Sequence, residues 1–127
     1  MKKYLLLFIL LFLLIFSVGC KSANESYITI TTAEAVQMME EKDGYIILDV
    51  RTYEEYDEGH IPNAINIPVD SINEDNIKAL NDKDQLILVY CRSGNRSKTA
   101  SKKLVELGYK NVVDFGGIIS WTGEIEK

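Results

Sequence analysis

The chain has 127 residues, with 14 Lys+Arg against 19 Asp+Glu and a formal net charge of -5, which fits one ordinary domain and excludes a large multidomain assembly. This acidic balance predicts no nucleic-acid partner, because duplex binding depends on positive charge that neutralises phosphates. The two cysteines, Cys20 and Cys91, are too few for a disulfide scaffold.

The N-terminal segment has the pattern of an export signal. Lys2 and Lys3 precede an unbroken run of 13 apolar residues from Tyr4 to Phe16. That run is shorter than the roughly 18 residues that indicate a membrane span. It is followed at positions 17–20 by Ser-Val-Gly-Cys, where the sequence resembles a bacterial lipoprotein signal. The resemblance implies cleavage before Cys20 and lipidation of that cysteine, with an uncleaved N-terminal anchor as the alternative.

The chain is therefore predicted to have three parts. A lipoprotein signal peptide covers residues 1–19, a lipidated N-terminus with a short polar tether covers 20–26, and one domain covers 27–127. Acyl chains on Cys20 would hold the domain on the outer side of the bacterial cytoplasmic membrane or in the periplasm. Lipidation also leaves Cys91 as a lone thiol in an exported protein, where cysteines are usually paired, so its chemistry is expected to serve the function.

The domain alternates strand-like and helix-like segments. Tyr27–Ile30 predicts a strand, and Thr31 with Glu34 forms a capping box that opens a helix through about Glu41. Tyr45–Leu48 is apolar on both faces, which is typical of a strand buried in a parallel sheet. The remaining segments are, in chain order, a short helix around Glu54–Glu58 with a solvated acidic face, an acidic helix over about Asn73–Leu80, a buried strand at Leu86–Tyr90, a helix over Ser97–Leu107, a short strand at Val112–Val113, a turn at Gly116–Gly117 and a terminal helix or loop in which Trp121 locks the end of the chain.

This alternation predicts an α/β domain, in which a small open parallel sheet carries helices on both faces. Ligands of such sheets bind at the carboxyl ends of the strands. Two polar motifs fall there, one containing Asp49 and Arg51 and the other beginning at Cys91 and Arg92. The sequence therefore predicts that these motifs share one edge of the sheet.

The segment from Cys91 to Ser97 carries the most chemical information, because a cysteine ends a buried strand and the loop after it opens a helix. Free N–H groups at a helix N-terminus carry about half a positive charge, which favours a thiolate and bound anions. Gly94 allows the loop to curl so that successive amides point at the sulfur. The chain has only three arginines, Arg51, Arg92 and Arg96, and all lie in the two strand-end motifs, which suggests anion recognition or structural ion pairs.

The two motifs resemble those of the rhodanese family of sulfurtransferases, and the resemblance extends from Tyr27 to Trp121. One motif reads LDVRTYEEY at 48–56 and continues as GHIPNAINIP at 59–68, and the other reads VYCRSGNRS at 89–97 with GG at 116–117. The resemblance implies a rhodanese-like fold and a ping-pong reaction without a cofactor.

In that reaction the thiolate of Cys91 takes a sulfane sulfur from a donor, becomes a persulfide and passes the outer sulfur to an acceptor. The amides of the loop would cradle this persulfide, and the loop consists of Arg92, Ser93, Gly94, Asn95, Arg96 and Ser97. The implied donors are thiosulfate, polysulfide or a persulfide, and the implied acceptor is a thiol or a cyanide-like nucleophile. The chain is expected to act as a monomer.

Two alternatives belong to other functional classes. Related phosphatases and arsenate reductases use a Cys-x5-Arg loop, whereas here four residues separate Cys91 from Arg96 and position 97 is Ser. The shorter loop is expected to fit a sulfur atom better than a phosphate. The other alternative is a non-catalytic rhodanese module that binds a protein partner or senses redox state through Cys91.

The remaining polar residues are assigned supporting roles. Asp49 and Arg51 are predicted to form an ion-paired brace, and Arg96 is predicted to fix the loop by pairing with a carboxylate. Arg92 is expected to face solvent, where it could contact an anionic donor. His60, the only histidine, is predicted to fix a turn and not to act as a base. No spacing of His, Cys and carboxylates predicts a metal site.

Overall fold

The computed structural model describes residues 26–127. The predictions for the signal peptide and for lipidation at Cys20 lie outside the described residues. The described strands are β1 (Ile28–Thr29), β2 (Ile46–Asp49), β3 (Ile65–Asn66), β4 (Leu86–Cys91) and β5 (Asn111–Gly117). They form one sheet in the order β1-β5-β4-β2-β3, and every neighbouring pair is parallel.

Three helices and one short turn connect the described strands, and a second short turn follows β5. They are α1 (Thr32–Glu41), α2 (Tyr53–Glu58), α3 (Asn95–Glu106) and the 3-10 turns Val69–Ser71 and Ile118–Ser120. The predicted capping box opens α1, because the Thr31 hydroxyl accepts the Glu34 N–H at 3.1 Å and the Glu34 carboxylate accepts the Thr31 N–H at 3.2 Å. Across residues 26–127, no helix combines the length and the apolar character that crossing a membrane requires.

The sheet separates two hydrophobic cores because side chains alternate along each strand. In β4, Ile87 and Val89 face α3, whereas Leu88 and Tyr90 face the opposite side of the sheet, which α1 covers through Ala35. The helices thus lie on both faces of an open parallel sheet, as predicted. Both cores and the whole sheet are formed within residues 26–127.

Two predicted elements were wrong. Residues 73–80 form turns instead of a helix, because the side-chain oxygen of Asn73 accepts the N–H groups of Asp75 and Asn76 at 2.9 and 3.1 Å, which replaces the first helical turn. The pair Gly116–Gly117 is not a turn between elements, since β5 continues through it and Gly117 pairs with Cys91. The last strand is therefore longer than Val112–Val113.

Candidate active site

Cys91 ends β4 at the carboxyl edge of the sheet, and α3 begins at Asn95. The intervening loop curls back on the sulfur, so that the Gly94 N–H donates to Cys91 Sγ at 3.0 Å. Gly94 has φ 107°, which lies in the left-handed region that glycine adopts without strain. The Ser97 hydroxyl lies 3.5 Å from the sulfur on the first turn of α3. Cys91 is 1% exposed, so these contacts replace most of its solvent.

This environment favours the thiolate. Burial by itself raises the pKa of the Cys91 thiol, because it removes water from the charged form. Hydrogen bonds from the Ser97 side chain and from the backbone N–H groups of Ser97, Gly94 and Ser93 outweigh burial, and the net pKa lies below the ordinary thiol value. The N-terminal end of α3 adds a partial positive charge at the same place.

The loop also packs against the end of β5. A β-carbon on Gly117 would overlap the carbonyl oxygen of Arg92, so only glycine fits this crossing. The same carbonyl accepts the N–H of Ile119 at 3.3 Å, and the Ser97 hydroxyl lies 3.4 Å from the carbonyl oxygen of Gly116. The downstream glycine pair therefore supports the loop by close backbone contact.

Arg96 anchors the loop from the other side. Its guanidinium donates to both carboxylate oxygens of Glu55 at 2.6 and 3.0 Å, so Arg96 makes the carboxylate pair that was expected of it. The hydrogen bond from Arg96 lowers the pKa of Glu55 to about 2. Glu55 also completes a capping box with Thr52 at the start of α2. The prediction that the acidic residues of α2 form only a solvated face was therefore wrong for Glu55.

Asp49 and Arg51 form an ion pair at the end of β2. The Arg51 guanidinium donates to Asp49 Oδ2 at 2.7 Å and to the Gly59 carbonyl at 2.7 Å. Burial lowers the pKa of Arg51, but the hydrogen bonds and the charge of Asp49 outweigh it and raise the net pKa. The Tyr90 hydroxyl donates to Asp49 Oδ2 at 2.7 Å, and burial together with this bond raises the pKa of Tyr90. This network fixes the carboxyl end of β2.

The other predicted site residues differ in their surroundings. Arg92, Ser93 and Asn95 are exposed, and among residues 26–127 the Arg92 guanidinium makes no hydrogen bond or ion pair. The Nδ1 atom of His60 contacts the carbonyl oxygen of Tyr56 at 2.9 Å, and its Nε2 atom contacts Glu126 at 3.2 Å. These contacts join α2 and the turn after it to the C-terminal segment. The described residues contain no group of three or more His, Cys, Asp or Glu that could hold a metal ion.

Comparison with known proteins assigns the described domain to a protein family. A family model described as the rhodanese-like domain matches residues 31–124. The chain belongs to the rhodanese-like family. The family identified from the two motifs is thereby confirmed, and with it the fold class.

Curated relatives extend this finding to chemistry. The thiosulfate sulfurtransferase PspE of Escherichia coli is 39% identical over 56% of this chain and 68% of its own length. The thiosulfate sulfurtransferase GlpE of Coxiella burnetii is 36% identical over 75% of this chain and 87% of its own. A crystal structure of the BH2092 protein from Bacillus halodurans superposes with a TM-score of 0.68 at 37% identity, covering 80% of this chain and 77% of that one. The two thiosulfate sulfurtransferases support a sulfur-transfer role in general.

Some relatives are much longer than the rhodanese domain. The chain spans 57% of YrkF of Bacillus subtilis, to which it is 36% identical over 83% of its own length. It spans 28% of the adenylyltransferase and sulfurtransferase uba4 of Ogataea parapolymorpha at 32% identity. The shared part is therefore the rhodanese domain.

Three residues of the site region were not found by sequence reasoning. The Tyr90 hydroxyl hydrogen-bonds Asp49, which lies 41 positions away in the chain, and Asp114 is fully buried in the middle of β5. Neither contact leaves a local pattern in the sequence. Glu55 could have been found, since Thr52 three residues before it forms the capping-box pattern that orients its carboxylate.

Proposed function

We propose that the chain is a sulfurtransferase that carries a sulfane sulfur on Cys91. The observation that carries the proposal is the position of the thiol, which ends β4, accepts the Gly94 N–H at 3.0 Å and has a lowered pKa. A thiolate held by amide donors is the nucleophile that sulfur transfer requires. Membership of the rhodanese-like family supports the same reaction class.

The reaction needs no general base once the thiolate is present. With thiosulfate, Cys91 Sγ attacks the outer sulfur, a new S–S bond forms, and the old S–S bond breaks so that sulfite leaves with its electron pair. The outer sulfur of the resulting persulfide is then attacked by cyanide or a thiolate, and Cys91 regains its negative charge. The loop amides would stabilise the charge on the persulfide in the same way as on the thiolate.

We favour thiosulfate over polysulfide and a persulfide as the donor. Thiosulfate is a small dianion, and the exposed Arg92 guanidinium in the loop offers it a cation. The Escherichia coli and Coxiella burnetii relatives, both named for thiosulfate, support this choice. The physiological acceptor is proposed to be a thiol, with cyanide as its laboratory substitute.

A redox sensor is the weaker alternative. Sensor cysteines often lie near a resolving cysteine. The only cysteine in the sequence besides Cys91 is Cys20. If Cys20 is lipidated, it has no thiol with which to resolve an oxidised Cys91. These observations favour transfer chemistry over sensing.

The test is intact-protein mass spectrometry of the full chain in a mild detergent after incubation with thiosulfate, and in parallel with polysulfide. We expect a gain of one sulfur atom on Cys91 that cyanide removes as thiocyanate. Cys91→Ser is the negative control, and Cys20→Ser is the matched cysteine control that should still load. An Arg92→Ala variant is expected to raise KM for thiosulfate more than it lowers kcat.

The outcomes separate the candidate functions. If neither donor loads Cys91 while mild peroxide converts it to a stable sulfenate, the sulfurtransferase proposal is wrong and the sensor is favoured. If the chain hydrolyses a phosphate ester and Cys91→Ser abolishes that hydrolysis, the phosphatase alternative replaces it. Loading in the Cys91→Ser variant would also contradict the assignment of the nucleophile.

The same proposal places the domain outside the cytoplasm on a lipidated Cys20. Its support is the sequence pattern of residues 1–20. Expression of the full chain in a bacterial host, followed by mass measurement of the membrane fraction, should show loss of residues 1–19 and the added mass of acyl chains. Cys20→Ser should remain unprocessed. An unprocessed wild-type chain in the membrane would favour the uncleaved anchor instead.

A further inference from the structure

Asp114 is a fully buried carboxylate close to the active-site loop, and the proposed reaction does not use it. Its Oδ1 atom accepts the backbone N–H of Gly116 at 3.0 Å. Its Oδ2 atom accepts the Thr29 hydroxyl at 3.2 Å and lies 3.5 Å from the Lys98 ammonium group. A buried carboxylate is costly unless it is paired, so these three contacts indicate a position with a specific task.

The contact with Gly116 fixes a bulge in β5. Val89 pairs with Asp114 and Cys91 pairs with Gly117, so β5 contains one residue more than β4 between the two pairs. Gly116 lies in this extra segment with φ 87°, a conformation in which most residues are strained. The Asp114 carboxylate accepts the N–H of Gly116, two residues further along the chain, and this hydrogen bond closes the bulge.

The bulge reaches the sulfur through two contacts. The carbonyl oxygen of Gly116 lies 3.4 Å from the Ser97 hydroxyl, which in turn lies 3.5 Å from Cys91 Sγ. On the same side, a β-carbon on Gly94 would lie 3.6 Å from the α-carbon of Gly116, so the bulge forms the wall behind the Gly94 turn. Gly94 and Ser97, two of the three residues that hydrogen-bond the sulfur, therefore lie against the segment that Asp114 closes.

The negative charge of Asp114 and its hydrogen bond to Gly116 have opposite effects on the Cys91 thiolate. A carboxylate near a thiol disfavours the thiolate, so a purely electrostatic role would raise the pKa of Cys91. Lys98 on α3 and the Thr29 hydroxyl on β1 face this carboxylate and offset part of its charge. Removal of the charge and removal of the hydrogen-bond acceptor should therefore have different effects on the sulfur.

We propose that Asp114 is a positioning residue for Cys91, which closes the β5 bulge and so holds Ser97 and the Gly94 turn against the sulfur. The proposal rests on the proposed function only in taking the Cys91 thiolate as the reactive species. It predicts that loss of the hydrogen-bond acceptor at position 114 lowers the reactivity of Cys91, whereas loss of the negative charge alone does not.

The experiment compares Asp114→Ala with Asp114→Asn, since asparagine keeps an acceptor for the Gly116 N–H and removes the charge. The full chain in mild detergent is alkylated with iodoacetamide across a pH series, and the rate is read from the tryptic peptide 84–92, which contains Cys91 but not Cys20. Iodoacetamide is neutral, so the rate does not depend on anion binding. We expect Asp114→Ala to raise the pH midpoint of alkylation by about one unit and Asp114→Asn to leave it near the wild-type value.

Any other pattern overturns the proposal. An unchanged midpoint in Asp114→Ala with a lower melting temperature would show that Asp114 only stabilises the fold. A lower midpoint in both variants would assign it an electrostatic role, and an equal rise in both would show that the acceptor is not what matters.

A second variant decides the question if Asp114→Ala does not fold. Gly116→Ala meets no neighbouring atom within 4 Å and strains only the backbone of the bulge, so it should also raise the midpoint. An unchanged midpoint in this variant would equally overturn the proposal. Because alkylation needs no sulfur donor, a failure of Cys91 to accept sulfur remains a separate result.

Discussion

The Tyr90 hydroxyl offers a quantitative test of the buried network beside the active site. It donates to Asp49 Oδ2 at 2.7 Å and accepts the Ile61 N–H at 3.1 Å, and all three residues are at most 1% exposed. Tyr90→Phe removes a hydrogen bond to a charged acceptor, worth about 1.5–3 kcal/mol, and leaves the Ile61 N–H unpaired at a cost of about 1–3 kcal/mol. Since the ring remains, we expect the free energy of unfolding to fall by about 3–5 kcal/mol.

Tyr109→Phe is the matched control. Tyr109 is 3% exposed, and its hydroxyl donates only to the neutral carbonyl of Leu80, so its loss should cost about 1 kcal/mol. Urea unfolding of residues 26–127, which contain the sheet and both cores, would be followed by circular dichroism. With a slope of about 1.5 kcal/mol per molar urea, the midpoint should fall by about 2–3 M for Tyr90→Phe and by less than about 1 M for Tyr109→Phe. Equal midpoints for the two variants would refute the reasoning.

Three further predictions concern the loop. Arg96→Lys keeps the charge but loses the bidentate contact with Glu55. We therefore expect kcat/KM in a thiosulfate–cyanide assay to fall about fivefold. An unchanged kcat/KM would show that this pair does not order the loop. The pKa of Glu55 is lowered to about 2 from 4.5, so the pair's stabilisation, about 1 kcal/mol after solvent screening, is present above pH 4.5 and lost as the pH falls towards 2. The stability difference between wild type and Glu55→Gln should accordingly disappear in acid urea titrations; a constant difference would contradict it. Gly117→Ala should cost more than about 3 kcal/mol in thermal unfolding because its β-carbon overlaps the Arg92 carbonyl, whereas the control Gly44→Ala, with open space around it, should cost about 1 kcal/mol.

Local signals in the sequence were sufficient for most of the fold. The capping box of Thr31 and Glu34 depends on residues three positions apart, and the two-sided apolar strands β2 and β4 are each a continuous run. Cys91 could be placed because a strand end, a polar loop and a helix start follow one another directly in the sequence. These features depend on neighbouring residues and hence can be read without the tertiary structure.

The features that were missed depend on distant residues or on competition between local structures. Asp114 meets Thr29 across 85 positions, and no spacing rule connects them. The acidic stretch at 73–80 suggested a helix, but the side chain of Asn73 offered the backbone a competing turn. In β5, the two glycines suggested the end of an element, whereas contact with the active-site loop requires an extended chain with a bulge.

The two outermost strands of the sheet are both very short. β1 is formed by Ile28–Thr29 and β3 by Ile65–Asn66, so each side of the sheet offers only two strand residues to a neighbouring molecule. Long exposed strands allow copies of a protein to join edge to edge, and crowding makes such joining more frequent. A lipid-anchored population would concentrate these domains in two dimensions. Under that condition, short edges protect against self-association through the sheet, and the copies can remain separate at high surface density.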